Sequence, residues 1–270
     1  MNSFDEDIRL VSLSETEFEV NIADSWKINV GPNGGYIAAI LLHGMKQAIG
    51  EILTRSFTCH FLSASVPGPA LLKVHIEKKG RTLSSVTSQL HQNGKSIAFA
   101  IATFANDLVA PAFNDIPMPQ VKRPAAIPLE ERMVQGSPMF VPFRAKYDQR
   151  PAIGPKLGNL SDKARVGGWT KFSEERPFDD LAILAISDSW YPSIKGKSNE
   201  DFHTPTVDHS IHFLAKPADA NSEFLLVMFE TEVAANGYLV EDGCIWNESG
   251  LLLARSRQLA ILLPKNPGDI

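Results

Sequence analysis

Asp188 follows Leu181, Leu184 and Ala185 at helical spacing, which sets a carboxylate on an apolar stripe. A carboxylate there is costly unless it is paired or functional. Ionised, it can take a proton from water as a general base. The plainer alternative is that the helix has already ended and Asp188 caps the next turn. A second feature is Asn33-Gly34-Gly35, which opens an apolar run. A helix starting there offers free backbone N–H groups. The other reactive residue types form no working pattern. His209 and His212 are three apart in a strand-like run, so they face opposite ways and are poor joint metal ligands. His43 lies in the apolar run and reads as a satisfied buried histidine. Cys59 and Cys244 are far apart with no paired Cys/His spacing, so neither a disulfide framework nor a zinc site is supported. The glycines match no phosphate-loop or dinucleotide pattern. No Gly-x-Ser-x-Gly elbow exists, which disfavours a serine-hydrolase route.

The elements that must position these groups come as a repeat. Residues 54–62 line up with 206–214, and four of nine positions are identical: Thr54 with Thr206, and the closing His-Phe-Leu. A proline-containing turn follows each, then three strand-like runs. These are 70–78, 82–92 and 95–105 in the first half, and 223–233, 238–247 and 251–262 in the second. Asn93-Gly94 and Ser249-Gly250 are turn signals between the last two runs of each set. Leu and Ala interleave with Arg255, Ser256 and Arg257 in the final run. An apolar helix candidate precedes each repeat, at 35–49 and 179–190. Both are apolar almost all round, as buried helices are. Asn33-Gly34-Gly35 can cap the first, and Asp179 and Asp180 complement the dipole of the second. One more strand candidate precedes each helix, at 25–30 and 165–172.

The unit is thus strand, buried helix, then at least three antiparallel strands, used twice. Residues 107–155 hold nine of the eighteen prolines, which excludes sheet or helix interior over that length. The expected organisation is an N-terminal unit 1–106, a proline-rich linker 107–164 with a short helix at 129–134, and a C-terminal unit 165–270.

Composition narrows the class. The chain has 270 residues, 44% apolar and 21% charged, which suits a globular protein with a sizeable core. A net charge of −5 with no dense basic run excludes the footprint of a nucleic-acid binder. The acidic, polar start is no secretory signal. The longest apolar stretch, 37–42, is far too short to span a bilayer. A cytoplasmic enzyme or binding protein is expected.

An antiparallel sheet around one apolar helix, used twice, resembles the double-hotdog acyl-CoA thioesterases, in detail the bacterial acyl-CoA thioesterase II group. The residues carrying the likeness are Pro-Asn-Gly-Gly-Tyr at 32–36, Ser187-Asp188, Thr-Val-Asp-His-Ser at 206–210 and Ala-Arg-Ser-Arg-Gln at 254–258. It extends from about Trp26 to the C-terminus, apart from the linker. The resemblance implies an α+β double-hotdog fold and hydrolysis of a fatty acyl-CoA thioester without metal or cofactor. It implies Asp188, Thr206 and Gln258 as the group that holds the water. A hydroxyl and an amide can donate and accept at once, so they can fix that water's orientation. The carbonyl needs donors where the oxyanion develops, and Gly34 and Gly35 are the candidates. Homodimers or larger assemblies are expected, since sheet edges are liabilities.

Plainer readings stand beside these roles. Thr206 could simply open a strand after Pro205. Gln258 has an exposed-face alternative among its charged neighbours, but alternation groups it with Ala254 and Ser256, pointing inward. A non-catalytic acyl-CoA binder and a hotdog enoyl-CoA hydratase are the competing functions. The latter usually carries a neighbouring Asp and His after the helix, which is missing beside Asp188. Met133, Met139, Phe140 and Phe143 are candidates to line or cover an acyl tunnel. Superposing the halves sets Ala102 opposite Gln258 and His43 opposite Asp188. One active site per chain follows, with the base from the second unit and the oxyanion donors from the first.

Overall fold

The computed structural model describes residues 2–28, 31–128, 141–156, 158–200 and 202–264. Alternation of buried and less buried positions builds its strands, as in Glu17–Ile22 and Ser84–Gln92. The first half contains α1 (Ser3–Asp7), β1 (Leu10–Ser12), β2 (Glu17–Ile22), the short pair β3 (Lys27–Ile28) and β4 (Gly31–Pro32), and α2 (Gly34–Ile49). It continues with β5 (Thr54–Phe61), β6 (Gly68–Lys79), β7 (Ser84–Gln92) and β8 (Lys95–Phe104). The second half contains β9 (Tyr147–Ile153), β10 (Ala164–Phe172), α3 (Asp180–Ile186), β11 (Phe202–His203) and β12 (Thr206–Phe213). It closes with β13 (Leu225–Ala235), β14 (Tyr238–Asn247), β15 (Leu252–Ile261) and β16 (Leu263–Pro264).

Twelve strands form one antiparallel sheet in the order β1-β2-β6-β7-β8-β5-β12-β15-β14-β13-β10-β9. The order mirrors about the β5–β12 pair, the two strands that carry the Thr-to-Leu repeat. That pair joins the halves, with Cys59 opposite His209 and Phe57 opposite Ile211. Asn93-Gly94 and Asn236-Gly237 close the β7–β8 and β13–β14 hairpins with positive φ at both residues, the backbone that matches strand twist. The architecture is the expected α+β double hotdog.

Two buried helices fill the concave face. Every residue from Gly35 to Leu42 and from Asp180 to Ile186 is buried. Asn33 caps α2 by accepting from the Tyr36 N–H, and Asp179 caps α3 by accepting from the Ala182 N–H. The start of α2 meets the end of α3, and the end of α2 meets the start of α3. The helices therefore run antiparallel.

Three local expectations are adjusted. The strand expected at 25–30 is a 3-10 turn at Asp24–Trp26 followed by the two-residue β3, with 29–30 outside the described residues. The strand equivalent to β10 is instead β2, which pairs with β6. The proline-rich segment also contributes β9, whose Pro151 is tolerated because the strand is at the sheet edge, beside a bulge. The helix at 129–134, and Met133, Met139 and Phe140, lie outside the described residues. Phe143 is buried against Tyr147. Among the described residues no helix is long and apolar enough to cross a membrane.

Candidate active site

α3 stops at Ile186, so Asp188 stands just past the helix rather than inside it. The chain turns there and delivers its carboxyl group to the first turn of α2 in the other half. Asp188 Oδ2 accepts from the Gly35 N–H at 2.8 Å and from Asn33 Nδ2 at 3.1 Å. Asn33 Nδ2 also donates to the Asp188 carbonyl at 2.9 Å. Asn33 thus serves twice, capping its own helix with Oδ1 and holding the acid with Nδ2. Both glycines are needed for this approach. A Cβ on Gly35 would come within 2.7 Å of the Ala185 carbonyl, and one on Gly34 within 2.9 Å of Asp188 Oδ2.

Asp188 is partly exposed, but the desolvation of its carboxyl group pushes its pKa up to about 7. The Gly35 N–H and the Asn33 amide pull the other way, and the Glu241 charge adds to the rise. Gly35 therefore differs from its expected part: its N–H already serves the acid. Gly34 is the first helical residue and its N–H has no intrahelical acceptor.

Thr206 and Gln258 come together on neighbouring strands β12 and β15. Thr206 Oγ1 donates to Gln258 Oε1 at 2.9 Å. Gln258 follows Ala254 and Ser256 to the inner face, while Arg255 and Arg257 are exposed. Among the described residues neither Thr206 nor Gln258 bonds directly to Asp188. The sequence reading missed the group beside them. Gln258 Nε2 donates to Glu241 Oε1 at 2.6 Å, and Glu241 Oε2 accepts from the Ser193 N–H at 2.6 Å. Glu241 is only 4% exposed, and burial raises its pKa. Strand alternation carried the signal, since Glu241 falls on the inner face with Leu239 and Gly243.

The histidines take other parts. His209 is buried and His212 exposed, as their spacing requires. His209 Nε2 lies 2.8 Å from Ser187 Oγ, whose hydroxyl donates to the Leu184 carbonyl. The Ser187 hydroxyl is thus shared between the end of α3 and the imidazole. Burial lowers the His209 pKa to about 4. His43 Nδ1 bonds the Ile8 carbonyl at 2.9 Å and its Nε2 meets Gln47. Cys59 and Cys244 are free and buried. No cluster of three metal-ligating side chains occurs among the described residues.

The pseudo-equivalent position in the fold is closed. At the start of α3, buried Asp180 is bound by Lys46 Nζ at 2.6 Å and by the Thr54 hydroxyl. Ala102, opposite Gln258 when the halves are superposed, is buried and offers no amide. A groove of about 750 Å3 between 171–178 and 218–223 is lined by Lys171, Arg176 and Glu223, and by none of Gly34, Gly35, Asp188, Thr206 or Gln258.

Two family models match the chain. An acyl-CoA thioesterase N-terminal domain matches residues 22–105, and an acyl-CoA thioesterase C-terminal domain matches 116–262. Among solved structures, a hot dog fold protein of unknown function from Alicyclobacillus acidocaldarius aligns with TM-score 0.90 at 24% identity, covering 99% of both chains. A putative thioesterase II from Thermobifida fusca aligns with TM-score 0.81 at 23% identity, covering 97% of this chain and 98% of that one. An acyl-CoA thioesterase II from Mycobacterium marinum aligns with TM-score 0.76 at 20% identity, covering 98% of each. No curated protein matches the sequence.

Proposed function

The chain belongs to the acyl-CoA thioesterase family, and from that premise we propose that it hydrolyses fatty acyl-CoA with Asp188 as the base. The observation that carries this is the Asp188 carboxyl itself. One oxygen is tied to the start of α2, and its pKa near 7 suits proton transfer at neutral pH.

Water donates one hydrogen to Asp188 Oδ1 and the other to the Thr206 hydroxyl. Its lone pair then attacks the thioester carbon. As the C–O bond forms, the proton passes to Asp188 and the carbonyl oxygen becomes an oxyanion, faced by the Gly34 N–H. Collapse breaks the C–S bond, and the CoA sulfur leaves with the proton held on Asp188. Free fatty acid and CoA result, with Asp188 ionised again. No covalent enzyme intermediate is needed.

The test is release of free thiol from a panel of acyl-CoAs running from short to long chains. The wild type is expected to turn over at least one chain length, and Asp188→Asn to lose ~10²–10⁴ in rate. Acyl-CoA binding with no thiol release across the panel would mark a non-catalytic binder. Enoyl-CoA hydration in its place would mark a hydratase.

A further inference from the structure

The proposed hydrolysis has a water held by Thr206, whose hydroxyl is bonded to the Gln258 amide, yet a hydroxyl and an amide can each face either way. Neither residue alone decides which of them donates. The decision lies one residue further out. A carboxylate can only accept, so Glu241 Oε1, at 2.6 Å, requires the nitrogen of the Gln258 amide to face it. The amide oxygen must then face Thr206, and the Thr206 hydroxyl must donate to it. That leaves the Thr206 oxygen with lone pairs only, as an acceptor for the water that Asp188 activates. We propose that Glu241 is a positioning residue that sets the direction of this hydrogen-bond chain and so presents the attacking water lone pair outward. The proposal rests on the reading of Asp188 as the base.

The arrangement is built rather than incidental. Glu241 is buried, and each of its oxygens accepts one N–H at 2.6 Å. The second donor, Ser193, lies in the segment that follows Asp188, and its hydroxyl is held by Thr231 at 2.8 Å. Glu241 thereby ties the segment bearing the acid to the strand bearing the amide. The charged groups around it are few. Its neighbour Asp242 raises its proton affinity, Glu241 in turn raises that of Asp188, and Asp242 is paired with exposed Arg257. His209, on β12 opposite Gln258, is buried and bonded to Ser187. Among the described residues no cation is bonded to either carboxylate, Asp188 or Glu241. The charge of Glu241 works against ionisation of Asp188.

Glu241→Gln removes that charge in the same volume, and its own amide no longer dictates which way Gln258 points. In the folded variant, kcat is expected to fall ~10–100-fold, the loss typical of a misplaced reacting group. KM should stay within about twofold, because no substrate contact is removed. The acid limb of the kcat profile should move to lower pH, since Asp188 ionises more readily without its neighbour. A merely structural role would lower thermal stability and leave that midpoint in place. A readout free of turnover is the side-chain amide of Gln258 by NMR. Its Nε2 protons should resist solvent exchange in the wild type and lose that protection in Glu241→Gln. Failure of the wild type to release CoA would overturn the hydrolase reading, whereas an unchanged Gln258 amide signal would overturn this one. Glu241→Asp keeps the charge on a shorter arm and carries the test alone if the Gln variant does not fold. It should keep the wild-type acid limb while losing kcat. Wild-type kcat in Glu241→Asp, or an unmoved acid limb in Glu241→Gln, would overturn the proposal.

Discussion

The backbone N–H of Gly35 and the carboxylate of Asp188 meet at 2.8 Å although the residues come from opposite halves of the chain. The positive end of α2 thus supports an acid that burial otherwise keeps protonated. Their balance leaves Asp188 with a pKa of about 7, and a base works only when ionised. The hydrolysis rate is therefore expected to rise with pH through about 7 and level off above it. A kcat/KM profile against acyl-CoA checks this. A rate that is flat from pH 5 to 8 would remove Asp188 as the base.

The same shift must appear in stability. The Asp188 pKa in the folded protein, about 7, lies above the ordinary ~3.9 of an unfolded aspartate. The folded state holds this proton to higher pH. The contribution is thus fully present below pH ~4 and is lost as pH rises through about 7. Asp188→Asn has no such proton to lose. The variant should gain on the wild type between pH 4.5 and pH 8, by about 1–3 kcal/mol after allowing for solvent relaxation around a partly exposed residue. Thermal melts of both proteins at the two pH values measure the difference. Parallel behaviour would show that the carboxyl is not desolvated.

Gly35→Ala should damage the junction between the helices. The new Cβ would lie 2.7 Å from the Ala185 carbonyl and 3.0 Å from Asp188 Cβ. Backbone cannot swing aside as a flexible side chain can, so the ends of α2 and α3 must part. Overpacking of this kind costs about 1–3 kcal/mol, against a helix-propensity gain near 1 kcal/mol. Parting also lengthens the bond that holds Asp188, so kcat should fall more than KM rises. A variant as active as the wild type would show that the Gly35–Asp188 contact does not matter to turnover.

Much of this was legible in the sequence because both repeats are written in short-range patterns. β14 occupies the run 238–247 as read, and β10 begins one residue earlier than the expected 165. Asp188 stood out because a carboxylate followed an apolar helical stripe, and both readings of it hold parts of the geometry. The helix has ended, and the side chain reaches the N-terminus of another helix. Glu241 was not found, because its partners Gln258 and Ser193 are distant in sequence and only strand pairing and the turn after α3 bring them together. β9 was hidden by its proline, which is harmless at an edge where one side makes no ladder bonds.

The Lys46–Asp180 pair explains why the repeat need not mean two active sites. At the start of α2 an acid from the other half approaches. At the start of α3 the approaching group is Lys46, and the acid Asp180 belongs to the helix itself. A lysine bound to that acid cannot act as a base, and Thr54 is turned to Asp180 as well. Lys46→Met should therefore leave the hydrolysis rate within about twofold, since it touches nothing in the proposed chemistry. It should still lower stability, because Asp180, at 3% exposure, loses its counter-ion. Breaking a fully buried pair costs about 3–5 kcal/mol. The Lys46 side chain is 30% exposed, so solvent screening brings the expected loss nearer ~1–3 kcal/mol. A thermal melt beside an acyl-CoA assay reads both quantities. If Lys46→Met abolished turnover as Asp188→Asn is expected to, the second helix start would have to be part of the catalytic centre, and the assignment of one site per chain would fail.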